Sequence, residues 1–329
     1  MYKKKFLVIT NSGKYLFTHR KTLVKSLEQK YDISISAPDI NKYFPSKKNQ
    51  IFFFNRGYSG IFTEIKSLIK IAKMIKDFKP DIILAISFKV CFLVMFLNFF
   101  YRTKSLYAIT GLGYVFSIYS KNIFKFIIKF LIKILDNNYN YFLFQNIQDK
   151  DYFNKIINIK KRSFVISGTG IKKEILKIQK KRKHKKIILP ARLLLDKGIV
   201  DFIKVSQLVA AKCSNVSFQI IGSLDNYNPT AIKKNEIKEM LRNKKFIKWL
   251  GYKKNMRKYY KSAYLVCFPS YHEGCPRSLI ESIGFGLPVV CYDIAGNRNI
   301  VKNNINGYRV KLFNYKELEN KIIKIIDKE

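Results

Sequence analysis

The sequence predicts an α/β protein made of two doubly wound domains, each a parallel β-sheet covered by helices. Short apolar runs alternate with amphipathic segments along the chain, which is typical of parallel sheets with helical crossovers. The alternation stops at a strongly charged segment and then restarts. A length of 329 residues is enough for two ordinary domains, each with its own core.

The first domain is predicted to span residues 1–171. Its apolar runs predict strands at residues 6–10, 33–37, 51–54, 81–86, 105–110, 141–145 and 164–167. Amphipathic segments between them predict helices, among them residues 18–30, 63–78 and 122–135.

Residues 172–185 are predicted to form a basic linker, since no strand or buried helix would carry the charged run that ends at Lys186. A tail that binds nucleic acid is the alternative interpretation of the same run. The second domain, residues 186–329, is predicted to contain strands at 186–190, 216–221, 247–250, 264–268, 288–292 and 307–310. Its predicted helices are 199–212, 229–242, 255–261, 276–285 and 315–326. Because doubly wound sheets bind ligands at strand carboxyl ends, we expect the site in a cleft between the domains.

The net charge of +41 would attract phosphates, anionic lipid head groups or nucleic acid. The excess is almost entirely lysine, together with many Ile, Asn, Phe and Tyr, which is also the composition that an AT-rich genome produces. The charge alone therefore selects no partner.

Cysteine use and apolar segments indicate a cytoplasmic protein. The five cysteines form no Cys-x-x-Cys pair, which fits reduced thiols better than a disulfide framework or a zinc site. The N-terminus leads directly into a strand and has no long apolar core of a signal peptide. The most apolar stretch, residues 90–100, is too short to span a bilayer.

The most informative segment is residues 268–281, in which a buried strand is followed by a loop and a helix. Glu273 lies in the loop, Pro276 lies where the helix can begin, and Glu281 lies about one turn inside it. Side chains on a helix tilt towards its N-terminus, so both carboxylates can face one ligand. Carboxylates accept hydrogen bonds from vicinal hydroxyls, which a sugar and a ribose both present. Two glutamates without a function are the alternative.

A second candidate segment, residues 189–198, opens the second domain. Its strand ends near Arg192 and Lys197, and a helix begins after Gly198. Two cations beside a helix N-terminus favour the binding of a diphosphate.

Together these segments resemble the retaining glycosyltransferase family 4, whose GT-B architecture has two Rossmann-like domains facing across a cleft. The resemblance covers nearly the whole chain and is strongest over residues 190–301. Its signature is Glu273 and Glu281 separated by seven residues, and the runs Gly-Phe-Gly-Leu-Pro-Val-Val from residue 284 and Ala-Gly-Asn-Arg from residue 295 also match.

The resemblance implies a role for each matching residue. Arg192 and Lys197 would bind the donor diphosphate, Glu281 the ribose hydroxyls, and Glu273, a catalytic candidate, the transferred sugar. The backbone of Gly274, Cys275 and Pro276 would contribute amides near that sugar and its phosphate. The donor would be a nucleotide sugar. Because no acidic metal cluster is evident in the sequence, we expect activity without a metal or other cofactor.

The first domain carries candidates on the acceptor side. Gly13 lies in the loop after the first strand, where a glycine lets the backbone approach a ligand. His19, the second catalytic candidate, could contact acceptor or donor, or only pack at the start of a helix. Thr110 and Gly111 belong to a run, Ile-Thr-Gly-Leu-Gly-Tyr-Val-Phe, that is similar to enzymes extending polyprenyl-diphosphate-linked sugars, as in O-antigen assembly. Many of these relatives have a histidine where this chain has Thr110 and Gly111.

Two short motifs resemble a metal-binding site and a dinucleotide-binding loop, but neither is interpreted as such a site. Asp149 and Asp151 match the Asp-x-Asp metal motif of the other glycosyltransferase fold, but they lie at the start of a predicted helix, where acidic residues complement the helix dipole. Gly111 and Gly113 lack the third glycine that a dinucleotide-binding loop needs.

The predicted helix at residues 122–135 suggests a membrane contact. Lys125, Lys129 and Lys133 recur every four residues and form one basic stripe on an otherwise apolar helix. Such a helix suits the interface of an anionic membrane. A core helix with one solvated edge is the alternative.

The sequence thus predicts an enzyme that transfers a hexose or N-acetylhexosamine from a nucleotide diphosphate, with UDP favoured, to a lipid-linked saccharide. It is expected at the inner face of the cytoplasmic membrane, with no nucleic acid partner. One alternative is a sugar-nucleotide epimerase of the same fold, which needs no acceptor. The other is a basic nucleic-acid-binding protein, although the chain has no RNP, zinc-finger or helix-turn-helix signature.

Overall fold

The computed structural model describes residues 3–45, 60–171, 185–225 and 228–327. The chain divides into two compact units, Met1–Thr169 and Gly170–Glu329. The predicted strand at 51–54 and nearly all of the predicted linker lie outside the described residues, so the linker and its limits stay predictions.

The first unit contains a parallel sheet of six strands within the described residues. Its order is β2-β1-β3-β4-β5-β6. The strands are β1 (Lys5–Thr10), β2 (Asp32–Ser36), β3 (Ile82–Ile86), β4 (Lys104–Ile109), β5 (Asn140–Phe144) and β6 (Ser163–Val165). The predicted strands in this part of the chain are therefore confirmed, with small shifts at their ends.

Helices cover both faces of this sheet. They are α1 (Gly13–His19), α2 (Lys21–Lys30), α3 (Ile61–Phe78), α4 (Phe88–Tyr101), α5 (Asn122–Leu135) and α6 (Ile147–Asn154). One core cluster combines residues of α3, α4, α5 and α6, and a second combines residues of α1, α2 and β2. In the described part of the chain, no helix has the length and apolar character needed to cross a membrane.

The predicted helix at residues 18–30 is wrong at its start, because two helices occupy residues 13–30. The backbone leaves helical geometry at Arg20, with φ −131° and ψ 13°. The first helix begins earlier because the Ser12 side chain accepts a hydrogen bond from the Tyr15 amide at 3.2 Å. Asp39, distant in sequence, accepts one from the Gly13 amide at 2.6 Å.

The second unit contains another six-stranded parallel sheet among its described residues, in the order β12-β11-β10-β7-β8-β9. The strands are β7 (Lys185–Leu189), β8 (Val216–Ile220), β9 (Ile247–Trp249), β10 (Leu265–Phe268), β11 (Val289–Tyr292) and β12 (Gly307–Val310). The central strands β10 and β11 are buried along their whole length, as expected for a sheet covered on both faces.

The helices of the second unit fill the crossovers. They are α7 (Ile199–Lys212), α8 (Lys234–Met240), α9 (Met256–Ser262), α10 (Arg277–Gly284), α11 (Ala295–Arg298) and α12 (Tyr315–Ile326). The helix predicted at 229–242 is wrong in its first part, since α8 begins only at Lys234. The preceding residues instead bond to the loop after β7, with the Leu195 amide donating to the Thr230 carbonyl at 2.8 Å.

Candidate functional site

The donor-side candidates lie where the strand order of the second sheet reverses. From β7 the chain continues to β8 and β9 on one side and then returns to β10 on the other side of β7. Lys197 follows β7 and Glu273 follows β10, so both lie beyond the carboxyl ends of these adjacent strands. In open α/β sheets this switch point is the usual place for a ligand.

The two loops at this point are packed closely against each other. Gly198 has φ +67°, and a Cβ atom added to it would lie 1.9 Å from the Pro269 carbonyl oxygen. The Tyr271 amide donates to the Asp196 carbonyl at 2.9 Å, and the Ser270 hydroxyl donates to the same oxygen at 3.1 Å. Glycine is therefore required at 198 both by conformation and by space.

Lys197 and Glu273 form an ion pair between these loops. Lys197 Nζ lies 2.8 Å from Glu273 Oε1, and the two side chains are 14% and 15% exposed. The Ser270 hydroxyl lies 3.1 Å from the same Glu273 oxygen. Gly296, at the start of α11, allows the Glu273 backbone to approach, because a Cβ atom there would lie 2.3 Å from the Glu273 carbonyl oxygen. The structure therefore fixes one cation and one carboxylate side by side at the strand ends.

Arg192 is paired with Asp225 from the loop after β8. The Asp225 side chain is only 6% exposed, whereas that of Arg192 is 41% exposed. Gly222 lets these loops meet, since a Cβ atom on it would lie 1.7 Å from the Ala191 carbonyl oxygen. A buried acid thus orients an arginine that remains accessible to a ligand.

Glu281 lies in α10, one helical turn beyond Arg277. The Arg277 Nε donates to Glu281 Oε1 at 2.9 Å. Burial raises the pKa of the neighbouring Tyr260, and the charge of Glu281 acts in the same direction. The carboxylate is partly exposed and has a fixed direction, which suits a hydrogen bond acceptor for hydroxyls.

The short segment between Glu273 and α10 contains the three residues proposed to present their backbone. Gly274 and Pro276 are buried, and Pro276 is the N-cap of α10. Burial raises the pKa of the partly buried Cys275 thiol to about 11, and the negative charge of Glu273 contributes. Cys275 is therefore a neutral thiol near neutral pH.

The acceptor-side candidates all lie in the first unit. Gly13 begins α1, and its amide is already bonded to Asp39. His19 ends α1, where its ring stacks on Tyr15 with a centroid distance of 4.8 Å. Thr110 and Gly111 directly follow β4 and are partly exposed.

The Asp-x-Asp motif has a structural explanation. Asp149 is buried in the first turn of α6, where its amide donates to the Asn146 side chain at 2.7 Å. The Asn146 side chain in turn donates to the Asp149 carboxylate at 2.9 Å. Within the described residues, no group of three histidine, cysteine or acidic side chains could hold a metal ion.

Several site residues could not be selected from the sequence. Asp225 and Ser270 become visible only through their contacts with Arg192 and Glu273. Gly296 lies in a run that the family resemblance did include, but its contact with the Glu273 backbone depends on the fold.

Comparison with known proteins defines the class. The C-terminal half, residues 171–329, matches the family model described as "Glycosyl transferases group 1". Residues 5–146 match the model described as "Glycosyl transferase 4-like". The described sheets and helices are also similar to solved structures, including HepE of Anabaena in complex with UDP and glucose. The TM-score is 0.75 at 17% identity, over 99% of this chain and 90% of that one. This likeness shows the GT-B fold.

The chain is a glycosyltransferase and belongs to the group 1 and 4-like glycosyltransferases of the GT-B fold. It is 24% identical to the N,N'-diacetylbacillosaminyl-diphospho-undecaprenol alpha-1,3-N-acetylgalactosaminyltransferase of Campylobacter jejuni, over 98% of this chain and 89% of that protein. It is 29% identical to the UDP-Gal:alpha-D-GlcNAc-diphosphoundecaprenol alpha-1,3-galactosyltransferase of Escherichia coli, over 26% of this chain and 22% of that protein.

Proposed function

We propose that the protein is a retaining glycosyltransferase that moves a hexose or N-acetylhexosamine from a UDP-sugar to a polyprenyl-diphosphate-linked saccharide during surface glycan assembly. The observation that carries the proposal is the convergence of Lys197, Glu273 and Arg192 at the switch point of the second sheet, with Glu281 on the helix that follows β10. The sequence relatives named for lipid-linked acceptors support the acceptor class.

The charges of this site suit a nucleotide diphosphate sugar. Arg192 and Lys197 would bind the diphosphate, because charge-assisted hydrogen bonds to phosphate are the strongest available to these side chains. Asp225 holds Arg192 and Glu273 holds Lys197. Neither side chain therefore has to be ordered when the donor binds. Glu281 would accept hydrogen bonds from the ribose hydroxyls.

The proposed transfer takes place on one face of the sugar. The bond between the anomeric carbon and the phosphate oxygen breaks, and the acceptor oxygen bonds to the same carbon from the same face. The acceptor proton passes to an oxygen of the leaving diphosphate, so the products are UDP and the elongated saccharide. Lys197 and Arg192 would stabilise the negative charge that develops on the diphosphate. Glu273 would position the transferred sugar. In this mechanism Glu273 and Glu281 do not act as the acid and base of a glycosidase, since the leaving diphosphate accepts the proton.

The anionic membrane partner is supported by the surface of α5. Only one side of this helix is buried, through Ile128, Ile132 and Leu135. The outward side carries apolar residues at spacings that form one stripe, namely Ile123, Phe126, Ile127, Phe130 and Ile134, all exposed. An outward apolar face of this size does not fit the alternative of a core helix with one solvated edge.

The lysine row of α5 borders this apolar stripe. Lys125, Lys129 and Lys133 lie between the buried side and the apolar stripe, since each residue advances about 100° around the helix. Lys129 also lies 5.1 Å from the centre of the Tyr152 ring. An apolar stripe beside a basic row matches an interface with acyl chains below anionic head groups. We propose that α5 docks the enzyme on the inner face of the cytoplasmic membrane.

The function is tested by incubating purified enzyme with radiolabelled UDP-sugars and GDP-sugars and a polyprenyl-linked extract of the source cell. Label should enter the lipid-linked fraction with one or a few UDP-sugars, and NMR of the product should show the anomeric configuration of the donor. Transfer with inversion would refute the retaining mechanism. Release of an epimerised nucleotide sugar without acceptor would identify the epimerase alternative.

A further inference from the structure

Asp201 is a buried carboxylate that the proposed transfer does not use. It lies in the first turn of α7 and is 2% exposed. Its two oxygens accept hydrogen bonds from different tyrosines, Oδ1 from the Tyr271 hydroxyl at 2.8 Å and Oδ2 from the Tyr292 hydroxyl at 2.7 Å. Burial raises the pKa of the Asp201 carboxyl, and the hydrogen bonds from Tyr292 and Tyr271 oppose that rise. A buried charge held in this way fixes the positions of the groups that bond to it.

The segments joined by Asp201 each contain part of the donor site. Lys197 lies four residues before Asp201, and Tyr271 lies two residues before Glu273. Tyr292 ends β11 and lies four residues before Gly296, which packs on the Glu273 backbone. One carboxylate therefore connects the three loops that set the geometry of the Lys197–Glu273 pair.

The aromatic rings around Asp201 also pack against one another, and this packing does not depend on the tyrosine hydroxyls. The Tyr271 ring lies 6.1 Å from that of Tyr292 and 4.9 Å from that of Phe313, between centroids. Replacement of Tyr271 by phenylalanine would thus keep the ring packing and remove the hydroxyl that donates to Asp201. The variant can therefore show whether the hydroxyl positions the loop, while the packing of the core is preserved.

We infer that Asp201 is the positioning residue of the donor site, holding the loop of Glu273 against the loop of Lys197 through the Tyr271 and Tyr292 hydroxyls. This inference rests on the proposed function, since it assigns Lys197 and Glu273 to the donor. The pair spans two loops, so a loose Glu273 loop misplaces the lysine as well as the glutamate. Misplacement of these groups reduces both donor affinity and turnover.

The test compares Tyr271→Phe with Tyr264→Phe. Tyr264 precedes β10, at the opposite end of the same strand, and its hydroxyl donates to the Ile325 carbonyl at 3.2 Å. Each variant loses one tyrosine hydroxyl from the same unit, but only Tyr271→Phe breaks a contact with Asp201. We expect Tyr271→Phe to raise the Kd of UDP at least fivefold and to lower kcat for the donor at least fivefold. Tyr264→Phe should change both less than twofold.

A purely structural role predicts a different pattern. In that case Tyr271→Phe lowers the midpoint of thermal unfolding, and the kinetic constants of the folded enzyme equal those of Tyr264→Phe, which would overturn the inference. Asp201→Asn, which keeps the shape and one acceptor, should retain more donor turnover than Asp201→Ala. Equal turnover of these two variants per folded molecule would also contradict it.

A measurement without nucleotide separates this inference from the proposed function. Amide hydrogen exchange of residues 270–274 should be at least tenfold faster in Tyr271→Phe than in Tyr264→Phe. If the parent protein binds neither UDP nor GDP, the proposed function fails, while unchanged exchange in Tyr271→Phe refutes the positioning role of Asp201.

Discussion

At the scale of single residues, the proposed donor site consists of oppositely charged side chains that already form ion pairs with each other. Lys197 is held by Glu273 and Arg192 by Asp225, so the cations are oriented before a ligand arrives. Ordering long side chains costs conformational entropy, and this cost is met during folding and not during binding. Loss of one such cation should therefore impair donor use far more than loss of an exposed surface lysine.

Lys197→Ala is expected to lower kcat/KM for the donor about 10- to 100-fold, because a hydrogen bond to a charged group contributes roughly 1.5–3 kcal/mol. Glu281→Gln should also weaken donor use. Lys234→Ala, which removes an exposed lysine of α8, is the control and should leave the constants unchanged. Initial rates with a UDP-sugar measure the effect. Donor constants equal to the parent's in both site variants would remove the proposed donor site.

Cys275 should be alkylated slowly near neutral pH. Its pKa is raised to about 11, so at pH 7.5 about three thiols in ten thousand are thiolate. The rate of iodoacetamide modification, followed by mass spectrometry of the peptide, should rise about tenfold for each pH unit between 7 and 9. A plateau below pH 9 would show that Glu273 and burial do not act on this thiol as the structure indicates.

At the scale of elements, glycines determine how closely the loops of the proposed donor site approach each other. Gly198 and Gly251 have nearly equal φ values of +67° and +71°. A Cβ atom at 198 meets the Pro269 backbone, whereas one at 251 has no atom within 4 Å. Alanine at position 251 would therefore meet conformational strain alone, whereas alanine at position 198 would meet the same strain and a steric conflict.

Gly251→Ala should cost about 1 kcal/mol of unfolding free energy, which is the usual cost of a left-handed conformation for alanine. Gly198→Ala should cost at least about 2 kcal/mol more, because backbone atoms have to move. Denaturant unfolding followed by circular dichroism measures both values. Equal destabilisation by the two variants would mean that the loops around Gly198 are looser than described.

The outward surface of helix α5 combines exposed apolar side chains with a row of lysines. Replacing Lys125, Lys129 and Lys133 by glutamine should reduce binding to anionic liposomes by about two decades, since each lysine near such a surface contributes on the order of 1 kcal/mol. Phe126→Ser with Phe130→Ser should also reduce binding, and this loss should persist at high salt. Sedimentation with phosphatidylglycerol vesicles measures both.

The control for this experiment replaces Lys234, Lys238 and Lys245, three exposed lysines of the second unit, by glutamine. It produces the same change in net charge and should leave binding nearly unchanged. Activity on a lipid-linked acceptor should fall in the α5 variants, and activity on a short soluble acceptor should fall much less. If both α5 variants pellet with vesicles like the parent, membrane docking belongs to another surface.

At the scale of the whole molecule, two sheets of the same type carry different sets of candidate functional residues. The second unit has the paired charges at its switch point, whereas the acceptor-side candidates of the first unit are Gly13, His19, Thr110 and Gly111. In the proposed function, the side chains of Arg192 and Lys197 bind the diphosphate. Among the described residues, no group of three histidine, cysteine or acidic side chains could hold a metal ion there.

Activity is therefore expected to persist in EDTA. Arg192 and Lys197 provide the positive charge that a divalent cation provides in other transferases. Initial rates with and without EDTA should agree within about twofold. Loss of activity in EDTA that manganese restores would show that the protein uses a metal ion, and would make Asp149 and Asp151 candidates for binding it, despite the hydrogen bonds of Asp149 to the helix N-cap Asn146.

Much of the fold follows from the sequence because it depends on local patterns. The strands β7, β10 and β11 are short apolar runs, and helices α5, α7 and α12 have the bounds that their periodicity predicts. The wrong boundaries lie where distant residues compete with local preference. Asp39 bonds to the start of α1, and the loop after β7 bonds to the segment before α8.

The sequence by itself determined the fold class and the glycosyltransferase family, because they depend on local periodicity and on short motifs. It also predicted donor-side residues, because motifs such as Glu273 and Glu281 lie at fixed positions relative to strand ends. Only the tertiary structure decided which charges pair, since Lys197 and Glu273 are distant in sequence and meet across adjacent strands. It alone showed which side of α5 is buried, because apolar periodicity is equally strong on the exposed side. The role inferred for Asp201 likewise depends on contacts between three loops, which no local pattern encodes.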